Sequence, residues 1–145
     1  MASAVVRNKK RSEVYHFDGR QWSQPQPAEE LIGAESADLH TVLRANSHWN
    51  SEVTVIEDGS ADNTRAVMLE EIKKYPGTQL IVHEKNQGYV RSLKDGIAQS
   101  HGKYVMYVGA DEEFDCSELP NFVNILMEEG PGHADVVLGV RWQRN

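Results

Sequence analysis

The sequence predicts an α/β fold in which a mostly parallel β-sheet is flanked by helices. From about residue 50 onward, short β-branched runs alternate with helix-length amphipathic segments, which is typical of parallel sheets. The near-continuous apolar character of the short runs fits strands buried on both faces. The strands are predicted at residues 52–56, 79–82, 103–108 and 135–140.

Helices are predicted between these strands and before the first of them. Asp62 or Asn63 provides an N-cap for one of them, and Pro76-Gly77 ends it. Another has Leu39, Val42 and Leu43 spaced for one buried face. The predicted helices cover residues 36–45, 63–75, 89–100 and 118–129.

The chain length of 145 residues suits one hydrophobic core. Residues 36–145 are expected to form the folded domain, because the strand and helix patterns fall there. Residues 1–35 are rich in polar and loop-forming residues, and we expect an irregular N-terminal segment. The basic run at residues 7–11 is either a solvated tail or a contact for an anionic membrane surface.

Composition excludes some functions. The net charge of −7 argues against nucleic-acid binding, because phosphate contacts require a basic face. No run approaches the roughly 20 apolar residues that cross a bilayer, so a cytoplasmic protein is expected. The single cysteine, Cys116, has no partner in the chain for a disulfide and is interpreted as structural. The six histidines show no metal-ligand spacing and are interpreted as ordinary core or surface residues.

Polar residues directly follow three of the predicted strands, at residues 57–64, 83–88 and 109–113. Taken singly, each segment is compatible with a turn, a helix cap or a solvated loop. In an open α/β sheet, however, ligands bind outside the carboxyl ends of the strands. All three segments would converge on one edge of one sheet, which predicts a ligand site there. No Gly-x-Gly-x-x-Gly follows a strand, so a dinucleotide-binding domain is disfavoured.

These segments resemble motifs of the family 2 glycosyltransferases, which have the GT-A fold, a Rossmann-like α/β architecture. The family motifs are Asp-Asp-Gly-Ser-x-Asp-x-Thr, an Asn-x-Gly followed by a further Gly, Ala-x-Gly-x-Tyr-Val, Asp-Ala-Asp and, in members that use polyprenyl-phosphate acceptors, Asp-Val-Val-x-Gly-x-Arg. Similar elements occur here in the same order, at residues 57–64, 86–96, 100–105, 109–111 and 134–141. The resemblance implies the donor-binding half of such an enzyme, with residues 36–145 as a nucleotide-sugar-binding domain.

The resemblance also implies a set of site residues. A metal ion, Mg²⁺ or Mn²⁺, would neutralise the diphosphate leaving group. Partners would be a nucleoside diphosphate sugar and a polyprenyl phosphate at a membrane surface. The implied residues are Glu57, Asp58, Asn86, Gly88 and Lys94 for the nucleotide, Asp111 for the metal, and Arg141 and Arg144 for phosphate or acceptor.

The sequence departs from the family pattern in three ways. The usual apolar first strand, which leads into a Pro-x-x-Asn-Glu-like loop, is not found before residue 58. Gly109 stands where the first carboxylate of Asp-x-Asp is expected, and the chain stops at residue 145, where the acceptor half would begin. No residue is therefore assigned as general base. A non-catalytic module that keeps the fold and acts through a partner is the alternative. Because the predicted strand at residues 135–140 is too apolar to be left uncovered, a homo-oligomer, most simply a dimer, is expected.

Overall fold

The structure is a computed structural model that describes residues 2–7, 13–14, 26–109, 114–131 and 133–139. Its strands are β1 (Ala2–Arg7), β2 (Glu13–Val14), β3 (Gln26–Pro27), β4 (Glu52–Asp58), β5 (Gln79–His83) and β6 (Tyr104–Gly109). Its α-helices are α1 (Ala28–Ala45), α2 (Thr64–Glu71), α3 (Tyr89–Gln99) and α4 (Leu119–Met127). Short 3-10 helices lie at Ser47–Trp49, Ile72–Lys74 and Cys116–Glu118.

The main sheet has the strand order β5-β4-β1-β6, and every neighbouring pair in it is parallel. The predicted parallel sheet, including strands β4, β5 and β6, is therefore confirmed. Strands β2 and β3 form a separate antiparallel pair. The parallel arrangement brings the carboxyl ends of the four main strands to one edge, which is where the polar segments were predicted to meet.

The prediction of an irregular segment at residues 1–35 is wrong over much of its length. Strand β1 lies in the middle of the sheet, bonded to β4 on one side and β6 on the other. Helix α1 begins at Ala28 and runs through residue 36, so the predicted boundary falls inside a helix. Strand β1 has only six residues and adjoins a basic cluster, so its local sequence predicts a strand weakly. Its structure is decided by pairing with the two neighbouring strands.

The predicted strand at residues 135–140 is also wrong over its described part. Residues 135–139 belong to no strand, and residue 140 lies outside the described residues. The side chains of Val136 and Leu138 are 71% and 80% exposed. An apolar run becomes a strand only where another strand pairs with it, and residues 135–139 have no strand partner in the described part of the chain.

The helix predictions agree with the structure more closely. Helix α2 follows Asn63, and the Asp62 carboxylate accepts a hydrogen bond from the Thr64 N–H at 3.0 Å. Helices α3 and α4 occupy the predicted intervals. The core is built from α1, α2, β4 and the start of α4, and Cys116 is buried in it, as its structural interpretation implied. The buried core residues are Ile32, Leu39, Val53, Val55, Met68, Cys116 and Leu119.

Among the described residues, the helices are too short or too polar to cross a membrane.

Candidate functional site

The candidate site lies at the carboxyl end of β4, where two carboxylates end a buried strand. Glu57 is fully buried and Asp58 is 4% exposed. Burying a carboxylate is costly unless hydrogen bonds or opposite charges satisfy it. The partners of these two side chains therefore define how this edge of the sheet is built.

The Asp58 carboxylate anchors the loop between β5 and α3. Its Oδ1 accepts from the Gln87 N–H at 2.8 Å, and its Oδ2 accepts from the Gly88 N–H at 3.0 Å. The Asn86 side-chain amide donates to Oδ2 at 3.1 Å and to the Asp58 carbonyl oxygen at 3.0 Å. His83 Nδ1 lies 2.8 Å from Oδ1. Asp58 thus holds two backbone N–H groups and an amide of one loop in place.

Gly59 allows the backbone that follows β4 to pack directly against the loop between β5 and α3. Its φ of +67° lies in the left-handed region, which favours glycine. A Cβ at this position would lie 2.4 Å from the Asn86 nitrogen and 2.4 Å from the Lys85 carbonyl carbon. Because both atoms belong to backbone, they cannot move aside as a flexible side chain would. The Asp-Gly pair is therefore part of a packed junction between two loops.

The Glu57 carboxylate faces the other side of the strand end. It accepts from the Ser60 N–H at 2.5 Å and from Arg65 Nε at 2.9 Å. Burial opposes ionisation of this carboxyl, but the hydrogen bonds from Ser60 and Arg65 and the Arg65 charge outweigh it and lower the pKa of Glu57. Arg65 also donates from Nη2 to the His83 carbonyl oxygen at 2.9 Å. Arg65 therefore ties α2 to the ends of β4 and β5.

His83 connects the site to helix α3. Its Nε2 lies 3.1 Å from Oδ2 of Asp95, while its Nδ1 faces Asp58. Asp95 also accepts from Arg91 Nε at 2.7 Å, one helical turn earlier on the same face. The Arg91 hydrogen bond is the main reason that the pKa of Asp95 is lowered, with His83 adding to it.

The structure brings together four of the residues predicted for the nucleotide: Glu57, Asp58, Asn86 and Gly88. In this structure Asp58 anchors the loop between β5 and α3, because its carboxylate oxygens accept hydrogen bonds from the protein itself. Direct acceptance from a nucleotide base or ribose remains a prediction. The fifth residue, Lys94, is exposed on α3.

The remaining predicted site residues belong to the metal and acceptor assignments. Asp111, Arg141 and Arg144 lie outside the described residues. Within the described residues, no group of three or more His, Cys, Asp or Glu side chains is arranged to hold a metal ion. The metal and acceptor assignments therefore remain predictions.

Sequence reasoning missed three residues of this network: His83, Arg65 and Asp95. The histidine was interpreted as ordinary, yet it is the register partner of Asp58 on the neighbouring strand. Its position at the end of the predicted strand, level with the Asp-Gly pair, was the available signal. Arg65 and Asp95 carried no such signal, because their partners are set by the packing of α2 and α3.

A parallel sheet flanked by helices defines an α/β protein, and in such proteins ligands commonly bind at the carboxyl edge of the sheet. The sequence profile of glycosyl transferase family 2 matches residues 37–145, and the chain belongs to that family. The resemblance predicted from the motifs is confirmed by this match.

Similar sequences include enzymes of known class. An uncharacterised protein of Methanocaldococcus jannaschii is 28% identical over 112 residues, which is 74% of this chain and 48% of that protein. A dolichyl-phosphate beta-glucosyltransferase of Dictyostelium discoideum is 29% identical over 105 residues, which is 71% of this chain and 32% of that protein. The chain thus spans less than half the length of these relatives.

Similar solved structures have the GT-A fold. A mannosyltransferase of Pyrobaculum calidifontis, solved with GDP-Man and Mn²⁺, has a TM-score of 0.64 at 17% identity over 88% of this chain and 32% of its own. S. aureus TarS in complex with UDP-GlcNAc has a TM-score of 0.55 at 18% identity over 87% of this chain and 31% of its own. The predicted GT-A fold is confirmed.

Proposed function

We propose that this chain binds a nucleoside diphosphate sugar and takes part in transfer of the sugar, as the donor-binding half of a glycosyltransferase. The carrying observation is the loop of residues 84–88, which Asp58 fixes at the carboxyl edge of the sheet. In open α/β sheets that edge is where ligands bind. Family membership and solved relatives with GDP-Man or UDP-GlcNAc support the same ligand class.

The nucleotide would lie against this fixed loop. Gly88 has a φ of +89°, and apart from its chain neighbours no described residue lies within 4 Å of the place where a Cβ would be. That open space lets a ligand approach the backbone closely. Helix α3 begins at the next residue, so its N-terminal end favours an anionic diphosphate, and Lys94 on the same helix would add a positive charge. Glu57 would support the pocket through Arg65 rather than contact the ligand.

The diphosphate leaving group requires positive charge beside it. We assign this role to Mg²⁺ or Mn²⁺ held by Asp111, since carboxylate oxygens suit such hard cations. The Pyrobaculum calidifontis enzyme was solved with Mn²⁺, which supports the choice. Arg141 and Arg144 would contact phosphate groups of the donor or acceptor.

A polyprenyl phosphate is the acceptor that we propose. Dolichyl-phosphate beta-glucosyltransferases of Dictyostelium discoideum and Trichomonas vaginalis are among the similar proteins. A phosphate acceptor is already ionised and needs little help from a general base. We place the chain in the cytoplasm, at a membrane surface that it reaches through a partner. A second copy of the chain would cover the apolar segment around Val136 and Leu138.

Nucleotide binding is tested by thermal shift with UDP-GlcNAc and GDP-mannose, each with and without manganese. A ligand that binds only the native state stabilises it by about 2.7 kcal/mol at one hundred times its Kd, which raises Tm by several degrees. In Asp58→Asn the shift should be largely lost, because an amide nitrogen cannot accept from the loop N–H groups.

Asp115→Asn is the matched control for this experiment. Asp115 also accepts from a backbone N–H, that of Ser117 at 2.9 Å, but it lies before the short helix Cys116–Glu118. Its variant should keep the ligand shift. A wild-type chain that responds to neither nucleotide sugar would refute donor binding.

A non-catalytic module is the second candidate, favoured by Gly109 at the end of β6, where a metal-binding carboxylate is expected. Such a module would bind the nucleotide sugar without turning it over. A donor-hydrolysis assay on the same samples separates the two, because only the enzyme releases free nucleoside diphosphate.

A further inference from the structure

His83 is placed between two carboxylates on different elements. Its side chain is 10% exposed, at the end of β5. Nδ1 lies 2.8 Å from Asp58, and Nε2 lies 3.1 Å from Asp95 on α3. Both ring nitrogens are thus within hydrogen-bond distance of a carboxylate oxygen.

Both carboxylates are also fixed by other donors. Asp58 accepts from the Asn86 amide and from the N–H groups of Gln87 and Gly88, while Asp95 accepts from Arg91. His83 therefore lies between a carboxylate that holds the loop and a carboxylate that belongs to helix α3.

We propose that His83 is a positioning residue that ties Asp58 to helix α3 and thereby holds the loop of residues 84–88 in its nucleotide-binding geometry. The side chains of residues 84–87 are exposed, so side-chain packing contributes little to holding this loop. Beside the backbone contact with Gly59, its order depends on Asp58, whose orientation depends on His83. The loop's role as the nucleotide wall rests on the function proposed above, whereas its anchoring by His83 does not.

The anchoring is tested first without any ligand. Amide hydrogen exchange at Gln87 and Gly88 should become faster by about tenfold or more in His83→Phe, the size expected for loss of one charge-assisted hydrogen bond. Unchanged exchange at these amides would overturn the proposal.

His101→Phe is the matched control. His101 also lies beside a carboxylate, Glu52 at 3.2 Å, but at the opposite edge of the sheet. Its variant should leave exchange at Gln87 and Gly88 unchanged. Should His83→Phe fail to fold, Asp95→Asn removes one of the two acceptors at a more exposed position and should speed exchange in the same direction.

The consequence for the ligand is tested next. In His83→Phe the Kd for the nucleotide sugar, or the donor KM where turnover is seen, should rise by about tenfold with kcat little changed, because the loop would affect binding rather than bond breaking. An unchanged Kd beside a loosened loop would overturn the positioning role. A wild-type chain that binds no nucleotide sugar would refute the proposed function and leave the exchange result intact.

Discussion

Single residues at the carboxyl edge of the sheet have unusually strict requirements. Gly59 combines a left-handed backbone with contact against the backbone of the neighbouring loop. Glu57 is a carboxylate without solvent contact, and its partners come from its own loop and from α2. Substitutions at these two residues separate the effects of shape and of charge.

Gly59→Ala is expected to destabilise the fold by about 2 to 4 kcal/mol, because the new Cβ meets backbone atoms and the left-handed conformation adds strain. Urea denaturation of the variant measures the loss. Gly77→Ala is the matched control: Gly77 has a φ of +95°, and among the described residues only its chain neighbours lie within 4 Å of its Cβ position. The control should cost only the conformational part, about 1 to 2 kcal/mol. Equal losses in the two variants would contradict the packed junction.

Glu57 should make stability sensitive to acid. Its pKa is lowered in the folded state from an ordinary value of 4.5, so the unfolded chain takes up this proton first as pH falls. The stabilisation is therefore complete above about pH 4.5 and is lost as pH falls through the folded-state pKa. Glu57→Gln should show a shallower loss of stability below that pH, measured by urea denaturation at several pH values.

The control for the acid experiment is Glu84→Gln, at an exposed carboxyl in the next loop. This variant should follow the wild-type pH dependence. A wild-type slope that persists in Glu57→Gln would mean that other carboxyls cause the acid sensitivity.

Among the elements, β4 is an interior strand of the sheet and is almost fully buried. It pairs with β1 and β5, and every residue after Glu52 is buried. The Thr54 hydroxyl in its middle is a buried side-chain oxygen without a hydrogen-bond partner in the described structure. An unsatisfied buried hydroxyl destabilises the fold, and valine has nearly the same shape and a high strand preference.

Thr54→Val is accordingly expected to raise the free energy of unfolding by about 1 kcal/mol. Thermal or urea unfolding of the purified chain measures this. Thr78→Val is the matched comparison, because the Thr78 hydroxyl lies 3.2 Å from His40 Nε2 and the change would remove that hydrogen bond. The comparison variant should lose stability. A loss in Thr54→Val as well would show that its hydroxyl is satisfied in solution.

At the scale of the whole molecule, a largely apolar cavity lies beside strand β6. Strand β6 is one of the two edge strands of the described sheet. Between it, α4 and residues 135–139 lies a largely apolar cavity of about 500 Å³. Apolar surface of this extent beside an edge strand is a common site of association.

We expect the chain to self-associate at micromolar concentration through this side. Val136→Asp combined with Leu138→Asp should shift the chain to monomer in light scattering, because charge would replace two exposed apolar side chains. Val90→Asp, at an exposed valine on α3, is the control and should leave the association unchanged. A wild-type chain that stays monomeric would contradict the expectation.

The sequence by itself determined the α/β class, strands β4, β5 and β6, the helices that follow them, and the edge of the sheet at which the site lies. These features follow from local apolar patterns, cap residues and the polar segments that end strands, all of which can be found within short windows. The order of the motifs along the chain also indicated the glycosyltransferase family.

Only the tertiary structure decided where β1 lies, why residues 135–139 are not a strand, and how Asp58 is used. Strand pairing depends on which neighbours are available, which a short run does not contain. The Asp58 network depends on donors from a loop, a neighbouring strand and, through His83, helix α3. The matching of buried donors and acceptors is fixed only when these elements pack, so sequence reasoning found the carboxylate but missed the histidine beside it.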